Sequence, residues 1–149
     1  MPNCCIGVDV ITGFPGETNE EFLETYQFLN ELDISYLHVF TYSERENTHA
    51  INLGGKVKQT GRDERTTQLR NLSEKKKRFF YEQNLGTIQS VLFEADIKQG
   101  KMNGFTANYI KVSAKYDPLL VNETKTVELL SINEYGEVEI SEIDEVLIH

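Results

Sequence analysis

Apolar positions change rhythm twice along the chain. Residues 5–12, Cys5-Ile6-Gly7-Val8-Asp9-Val10-Ile11-Thr12, form a short, mostly apolar, β-branched run. That pattern predicts a strand buried on both faces, as in a parallel sheet. Gly13-Phe14-Pro15-Gly16 is a turn signal that ends it. Thr18 and Glu21 then make a Thr-x-x-Glu capping box, a helix start. Phe22, Tyr26 and Leu29 recur at helical spacing, with Leu23 and Leu32 alongside, and Glu20, Glu24 and Glu31 lie opposite. Asp33 falls just past this helix. Tyr36-Leu37-His38-Val39-Phe40 reads as a second buried strand, so residues 5–42 predict a right-handed strand–helix–strand unit.

Residues 43–61 are polar, contain Gly54, Gly55 and Gly61, and read as a loop. Residues 62–83 are highly charged, with Leu69, Leu72 and Phe79-Phe80 as a narrow stripe, which predicts a long surface helix. Lys75-Lys76-Lys77-Arg78 form its basic end, where cations suit the helix dipole, and Asn84 and Gly86 are stop signals. Beyond Gly86, mixed apolar and polar runs at 87–94, 105–114, 124–132 and 136–141 are punctuated by Gly100, Gly104, Asp117-Pro118 and Gly136. Short strands at that spacing predict a small antiparallel barrel or sandwich.

Composition narrows the functional classes. The 149 residues fit one domain or two small ones, and fall short of a whole (β/α)₈ barrel of about 250 residues. No apolar run approaches the roughly 18 residues of a membrane span. The opening Met1-Pro2-Asn3-Cys4-Cys5 lacks the basic-then-apolar order of a secretory signal. Two adjacent cysteines cannot staple a fold, so a reduced, cytoplasmic setting is expected. The net charge of −9 argues against a generic nucleic-acid binder, but it is unevenly spread. Residues 1–55 hold one base (Arg45) and nine acids, residues 56–83 nine bases and four acids, and residues 84–149 five bases and eleven acids. Any RNA contact is therefore expected on the basic helix and on the lysines of residues 98–115.

The candidate chemistry is sparse. The Gly13–Thr18 turn between strand and helix is either a rigid βα turn or a place where backbone N–H groups meet a ligand. Asp9 is an acid inside an apolar strand, facing a barrel lumen or a solvated edge. His38 reads as a hydrogen-bonded core histidine before a ligand. Cys4 and Cys5, adjacent on a strand, would point to opposite faces, and the histidines at 38, 49 and 149 have no ligand spacing, so no metal is expected on this chain. No Ser-His-Asp or Cys-His arrangement is recognisable. The basic helix is a solvated face or a phosphate contact. Lys101, Asn108, Tyr109 and Lys111 form a polar-aromatic patch, of the kind that stacks bases and pairs phosphates, or an ordinary barrel strand with Tyr109 half buried.

Taken together, Asp9-Val10-Ile11-Thr12-Gly13-Phe14-Pro15-Gly16-Glu17-Thr18, Phe22, and Phe40-Thr41-Tyr42-Ser43-x-Arg45-x-x-Thr48-x-Ala50 resemble the radical S-adenosylmethionine tRNA methylthiotransferases. The wording of Cys5–Asp9 and Tyr36–Ser43 is closest to the branch acting on N6-threonylcarbamoyladenosine. Gly100-Lys101 and Asn108-Tyr109-Ile110-Lys111-Val112 resemble the TRAM domain, the RNA-binding β-barrel of these enzymes.

The resemblance implies an α/β + β fold. Residues 1–55 would be the end of a partial parallel (β/α) barrel, 56–83 a basic linking helix, and 84–149 a small antiparallel TRAM β-barrel. It implies that Asp9, Gly13, Phe40 and Tyr42 border an S-adenosylmethionine pocket, and that Arg45, Lys101, Asn108, Tyr109 and Lys111 serve a tRNA anticodon stem-loop. The parent reaction would add a methylthio group to C2 of the modified adenosine, using S-adenosylmethionine and two 4Fe–4S clusters. The family's Cys-x-x-x-Cys-x-x-Cys is absent here, and Asp9 stands where many radical enzymes have glycine. The chain is thus expected to be a C-terminal fragment, inactive alone, whose partner is the missing N-terminal part. The competing readings are a free-standing RNA-binding module, an enzyme acting on N6-isopentenyladenosine, and a structural domain that dimerises through an exposed strand edge.

Overall fold

The computed structural model describes residues 3–43 and 57–143. Residues 44–56 of the expected loop, Arg45 among them, lie outside the described residues. The chain divides into two compact units, one of residues 6–77 and one of residues 78–149 together with residues 1–5.

In the first unit, β1 (Gly7–Thr12) pairs in parallel with β2 (Tyr36–Thr41), Gly7 opposite Tyr36 and Thr12 opposite Thr41. The connecting helix α1 (Asn19–Glu31) starts where the capping residue predicts: the Glu21 N–H donates to Thr18 Oγ1 at 3.1 Å. The second helix, α2 (Gln59–Asn84), begins three residues before the predicted start. Phe22, Leu29, Leu37, Leu69 and Leu72 are buried together, with Val8, Val10, Tyr26 and Val39 packed against them. Leu23 lies outside this cluster and is exposed. Ser73 Oγ accepts from the Leu37 N–H at 2.8 Å and donates to the Leu37 carbonyl at 2.9 Å, so a helix side chain closes part of the β2 edge.

Three expectations fail here. The strands are not buried on both faces. Val8 and Val10 with Leu37 and Val39 share the face both helices cover, so Gly7, Asp9, Ile11, Tyr36, His38 and Phe40 occupy an uncovered one. Cys4 and Cys5 precede β1 rather than lying on it. Lys75–Arg78 do not reach the last turn of α2, which holds no base and ends at Asn84, where its stop signal stood.

The second unit is a closed barrel in the order β3-β4-β5-β7-β6, formed by β3 (Ile88–Lys98), β4 (Lys101–Thr106), β5 (Lys111–Lys115), β6 (Thr124–Ile132) and β7 (Val138–Glu142). Val91, Phe93, Met102, Ile110, Val112, Val127, Leu129 and Val138 fill it, with Phe80 and Tyr81 from the last turns of α2. The barrel is not purely antiparallel: β5 and β7 run parallel, with Val112 opposite Val138. Alternating directions cannot close a ring of five strands, so a parallel pair is forced by parity. The run at 105–114 is two strands, separated by a tight turn at Ala107–Ile110. Gly104 is not punctuation but lies inside β4, where a Cβ would come within 2.6 Å of Val91 Cγ1 and 2.8 Å of the Leu92 carbonyl oxygen. Gln99-Gly100, both at positive φ (53° and 75°), make the β3–β4 hairpin turn, a conformation suited to the strand twist.

Candidate functional site

Two regions carry the residues singled out above. In the first unit they sit on the uncovered sheet face and at the carboxyl ends of the strands. Asp9 and His38 are opposite each other in register on that face, both exposed. His38 is therefore not a core histidine; its ring stands edge-on to Tyr36 (5.1 Å between centroids) and stacks towards Phe40 at 6.4 Å. Ile11 and Phe40, also opposite, are more than half exposed.

At the strand ends the β1–α1 turn is held from the second helix. Glu17 Oε1 accepts from the Gly13 N–H at 2.9 Å and from Thr12 Oγ1 at 3.3 Å, and it pairs with Arg65 Nη1 at 2.6 Å. Arg65 also donates to the Glu17 carbonyl at 3.0 Å and to Asn19 Oδ1 at 3.1 Å, with its guanidinium over the Phe22 ring. Arg62 donates to the carbonyls of Val57 (2.9 Å) and Tyr42 (3.5 Å), and lies over the Tyr42 ring. Its methylenes cover Gly13, where a Cβ would approach Arg62 Cγ to 2.6 Å. Phe14 meets Tyr42 edge-on at 5.2 Å. Tyr42 Oη is buried without a hydrogen-bond partner among the described residues.

These contacts sort the residues expected at a cofactor pocket. Asp9 and Phe40 are accessible, and the Tyr42 hydroxyl, buried without a partner among the described residues, keeps its hydrogen-bonding capacity. Gly13 has its N–H taken by Glu17 and its Cα covered, so it shapes the turn. For iron–sulfur clusters the residues do not fit: no group of three or more His, Cys, Asp or Glu among the described residues is placed to hold a metal.

Three bases of α2, Arg62, Arg65 and Lys76, are committed to contacts inside the first unit. Arg62 and Arg65 are buried. Lys76 Nζ donates to the carbonyls of Leu32 (2.8 Å) and Asn30 (3.2 Å) at the end of α1, a helix with no base of its own in its last turn. Burial lowers the Lys76 pKa from its ordinary value, against a smaller opposing pull from Asp33. Arg78 pairs with Glu82 across one helical turn. The clamp formed by Glu17, Arg62 and Arg65 escaped sequence reading, although a signal was present: the Leu69–Leu72 stripe, continued backwards by helical steps, lands on Arg65 and Arg62.

On the barrel, Lys101 and Lys111 are partly exposed, and each faces a β7-side carboxylate: Lys101 Nζ lies 3.8 Å from Glu139 and Lys111 Nζ 3.3 Å from Glu137. Lys101 borders a groove of about 520 Å³ with Lys98, Gln99, Asn103, Ser113 and Tyr135. Tyr109 is not half buried but 71 % exposed, beside a different groove of about 570 Å³ lined by Asn3, Cys4, Cys5, Gln89, Ala107 and Asn108. The polar-aromatic patch is thus two places. No helix among the described residues is long and apolar enough to cross a membrane.

No protein-family model matches the chain. Curated relatives do. The chain is 41% identical over 111 residues to the threonylcarbamoyladenosine tRNA methylthiotransferase of Aquifex aeolicus, covering 74% of this chain and 26% of that protein. It is 37% identical over 100 residues to the ribosomal protein uS12 methylthiotransferase of Alkaliphilus oremlandii, covering 67% and 23%. It is 32% identical over 135 residues to the tRNA-2-methylthio-N(6)-dimethylallyladenosine synthase of Aliarcobacter butzleri, covering 89% and 30%. The chain spans about a quarter to a third of the length of the relatives it matches.

Proposed function

The chain belongs to the methylthiotransferase family, and from that premise we propose that it is part of a radical S-adenosylmethionine tRNA methylthiotransferase acting at C2 of N6-threonylcarbamoyladenosine beside the anticodon. The observation that carries this reading is the 41% identity to a relative of that name over 74% of the chain. In this proposal residues 1–55 are the end of the radical barrel, 56–83 the linking helix and 84–149 a TRAM-like barrel. Asp9, Phe40 and Tyr42 line one side of the S-adenosylmethionine pocket, on a turn that Gly13 shapes. Arg45, Lys101 and Lys111 contact tRNA phosphates, and Tyr109 meets RNA at a second groove, on a turn that Asn108 holds. S-adenosylmethionine and the clusters supply the radical and sulfur chemistry when bound, and protein groups position it. The only two cysteines of these residues are adjacent, so the clusters are held by another part of the enzyme and the 149 residues alone are inactive.

The names of the relatives divide among three substrates, so the test compares them. Binding of the purified chain is measured against tRNA carrying N6-threonylcarbamoyladenosine, tRNA carrying N6-isopentenyladenosine, and ribosomal protein uS12. Preference for the first is the expected result. Equal binding to unmodified RNA favours the free-standing RNA module, and absence of tRNA binding at low salt overturns the tRNA reading. Phosphate contacts give a log–log fall of affinity with salt, and Lys101→Ala or Lys111→Ala should each reduce that slope by about 1.

A further inference from the structure

We infer that the groove between residues 3–5 and the β4–β5 turn receives a single unstacked RNA base, with Tyr109 as its stacking platform and Gln89 as the group that reads its edge. This rests on the RNA-binding reading above and deepens it.

Tyr109 is the first reason. It is a bulky residue in the left-handed region, at φ 64°, where a side chain is disfavoured. The turn nonetheless holds it there. The Tyr109 N–H donates to the Thr106 carbonyl at 3.0 Å, the Ile110 N–H to Thr106 Oγ1 at 2.9 Å, and the Thr106 N–H to the Ile110 carbonyl at 3.0 Å. Asn108 locks the turn from the other side. Its Oδ1 accepts from Thr106 Oγ1 at 2.5 Å, while its Nδ2 donates to the Asn3 carbonyl at 3.0 Å and to Asn84 Oδ1 at 3.3 Å. Both amide protons of Asn108 are therefore used, and it positions the ring rather than meeting a ligand. The result is a rigid turn that presents an aromatic ring to solvent.

The lining supplies the second reason. Among the described residues, none that lines this groove is charged. A phosphate or a charged peptide would find no partner there. Gln89 donates one Nε2 proton to Thr87 Oγ1 at 3.1 Å, which leaves one N–H and the Oε1 acceptor unengaged among the described residues. A neutral donor–acceptor pair beside an exposed ring matches the edge and face of a nucleobase. The neighbouring groove, which shares Tyr109, carries Glu94 and Asp96 and so disfavours an RNA backbone. The phosphates are left to the lysine side of the barrel.

The chain has no tryptophan, so Tyr109→Trp installs a unique fluorophore at the platform. The probes are a single-stranded eight-nucleotide oligoadenylate and an RNA duplex of equal length. The single strand is expected to quench Tyr109→Trp and the duplex not to. Base stacking predicts that Tyr109→Ala weakens oligoadenylate binding by about tenfold to a hundredfold. Tyr109→Gly, which tolerates positive φ, should match it and excludes backbone strain as the cause. Gln89→Leu should alter the preference among homo-oligomers and leave the salt slope unchanged. The base site is overturned if both Tyr109 truncations bind like the parent chain while Lys101→Ala weakens binding; the RNA reading then survives. Quenching that tracks protein concentration rather than RNA, from a second copy seated on the ring, also overturns it. Absence of oligonucleotide binding at low salt overturns the base site and the RNA reading together.

Discussion

Arg65 Nη1 lies 2.6 Å from Glu17 Oε1, and both side chains are largely buried. The carboxylate in turn holds the Gly13 N–H and the Thr12 hydroxyl. One acid thus connects the turn after β1 to a base on α2, 48 positions away in sequence. Taking either partner away leaves the other charge buried and unmatched.

Glu17→Gln or Arg65→Met should therefore destabilise the first unit by about 3 kcal/mol, as for other broken buried pairs. The double variant should lose less than the sum of the two, since it strands no charge. Urea midpoints of the four proteins in the cycle measure this. Strict additivity would show that the pair does not act as a unit.

Lys76 predicts a pH dependence. Its pKa is lowered in the folded chain, so between that lowered value and 10.5 the unfolded state binds more protons. The contribution of Lys76 to stability therefore rises as pH rises through this window. Comparing urea midpoints at pH 7 and pH 10, the parent chain should gain more, or lose less, than Lys76→Gln. At pH 7 the variant should be weaker by about 0.5–1 kcal/mol, from the hydrogen bonds to the Asn30 and Leu32 carbonyls that the shorter side chain does not make.

Gly104→Ala should destabilise the barrel by about 2 kcal/mol, because the methyl group would press on Val91 and on the Leu92 backbone. Gly100→Asn, at a turn glycine with open space where a Cβ would go, should change stability by less than about 1 kcal/mol. Thermal melts of the two variants separate a packing glycine from a turn glycine.

The uncovered sheet face predicts self-association of the 149-residue chain. Ile11 (62 % exposed) and Phe40 (53 % exposed) lie side by side on it, and such faces favour pairing. Sedimentation velocity across a concentration series should show association, weakened about tenfold by Ile11→Lys with Phe40→Ser. A monomer at every concentration would overturn the reading of a chain that dimerises.

Much of the architecture was legible along the chain because its signals are local. The Thr18 cap, the apolar run of β1 and the stripe at Leu69 and Leu72 each act within a few residues, and each produces the element expected. The misplacements share one cause. Gly104 looks like punctuation, but the approach of Val91 across the barrel is what requires a glycine there. The end of α2 falls at Asn84, where its stop signal stood, but only the structure shows that Phe80 and Tyr81 in its last turns pack into the barrel core. His38 looked like a core residue because its strand is apolar, and a sequence does not reveal that both helices cover the other face.

The sequence alone therefore determined the start of α1, the two apolar runs of the parallel strand pair, and which family motif the first forty-odd residues carry. Capping, periodicity and motif wording are written in adjacent positions. Only the tertiary structure decided that the five strands must include a parallel pair, that Arg62, Arg65 and Lys76 serve the fold, and that Lys101 and Tyr109 border different grooves. Those outcomes depend on which distant residues meet in space, and a charge or a ring acquires its role from the partner brought to it.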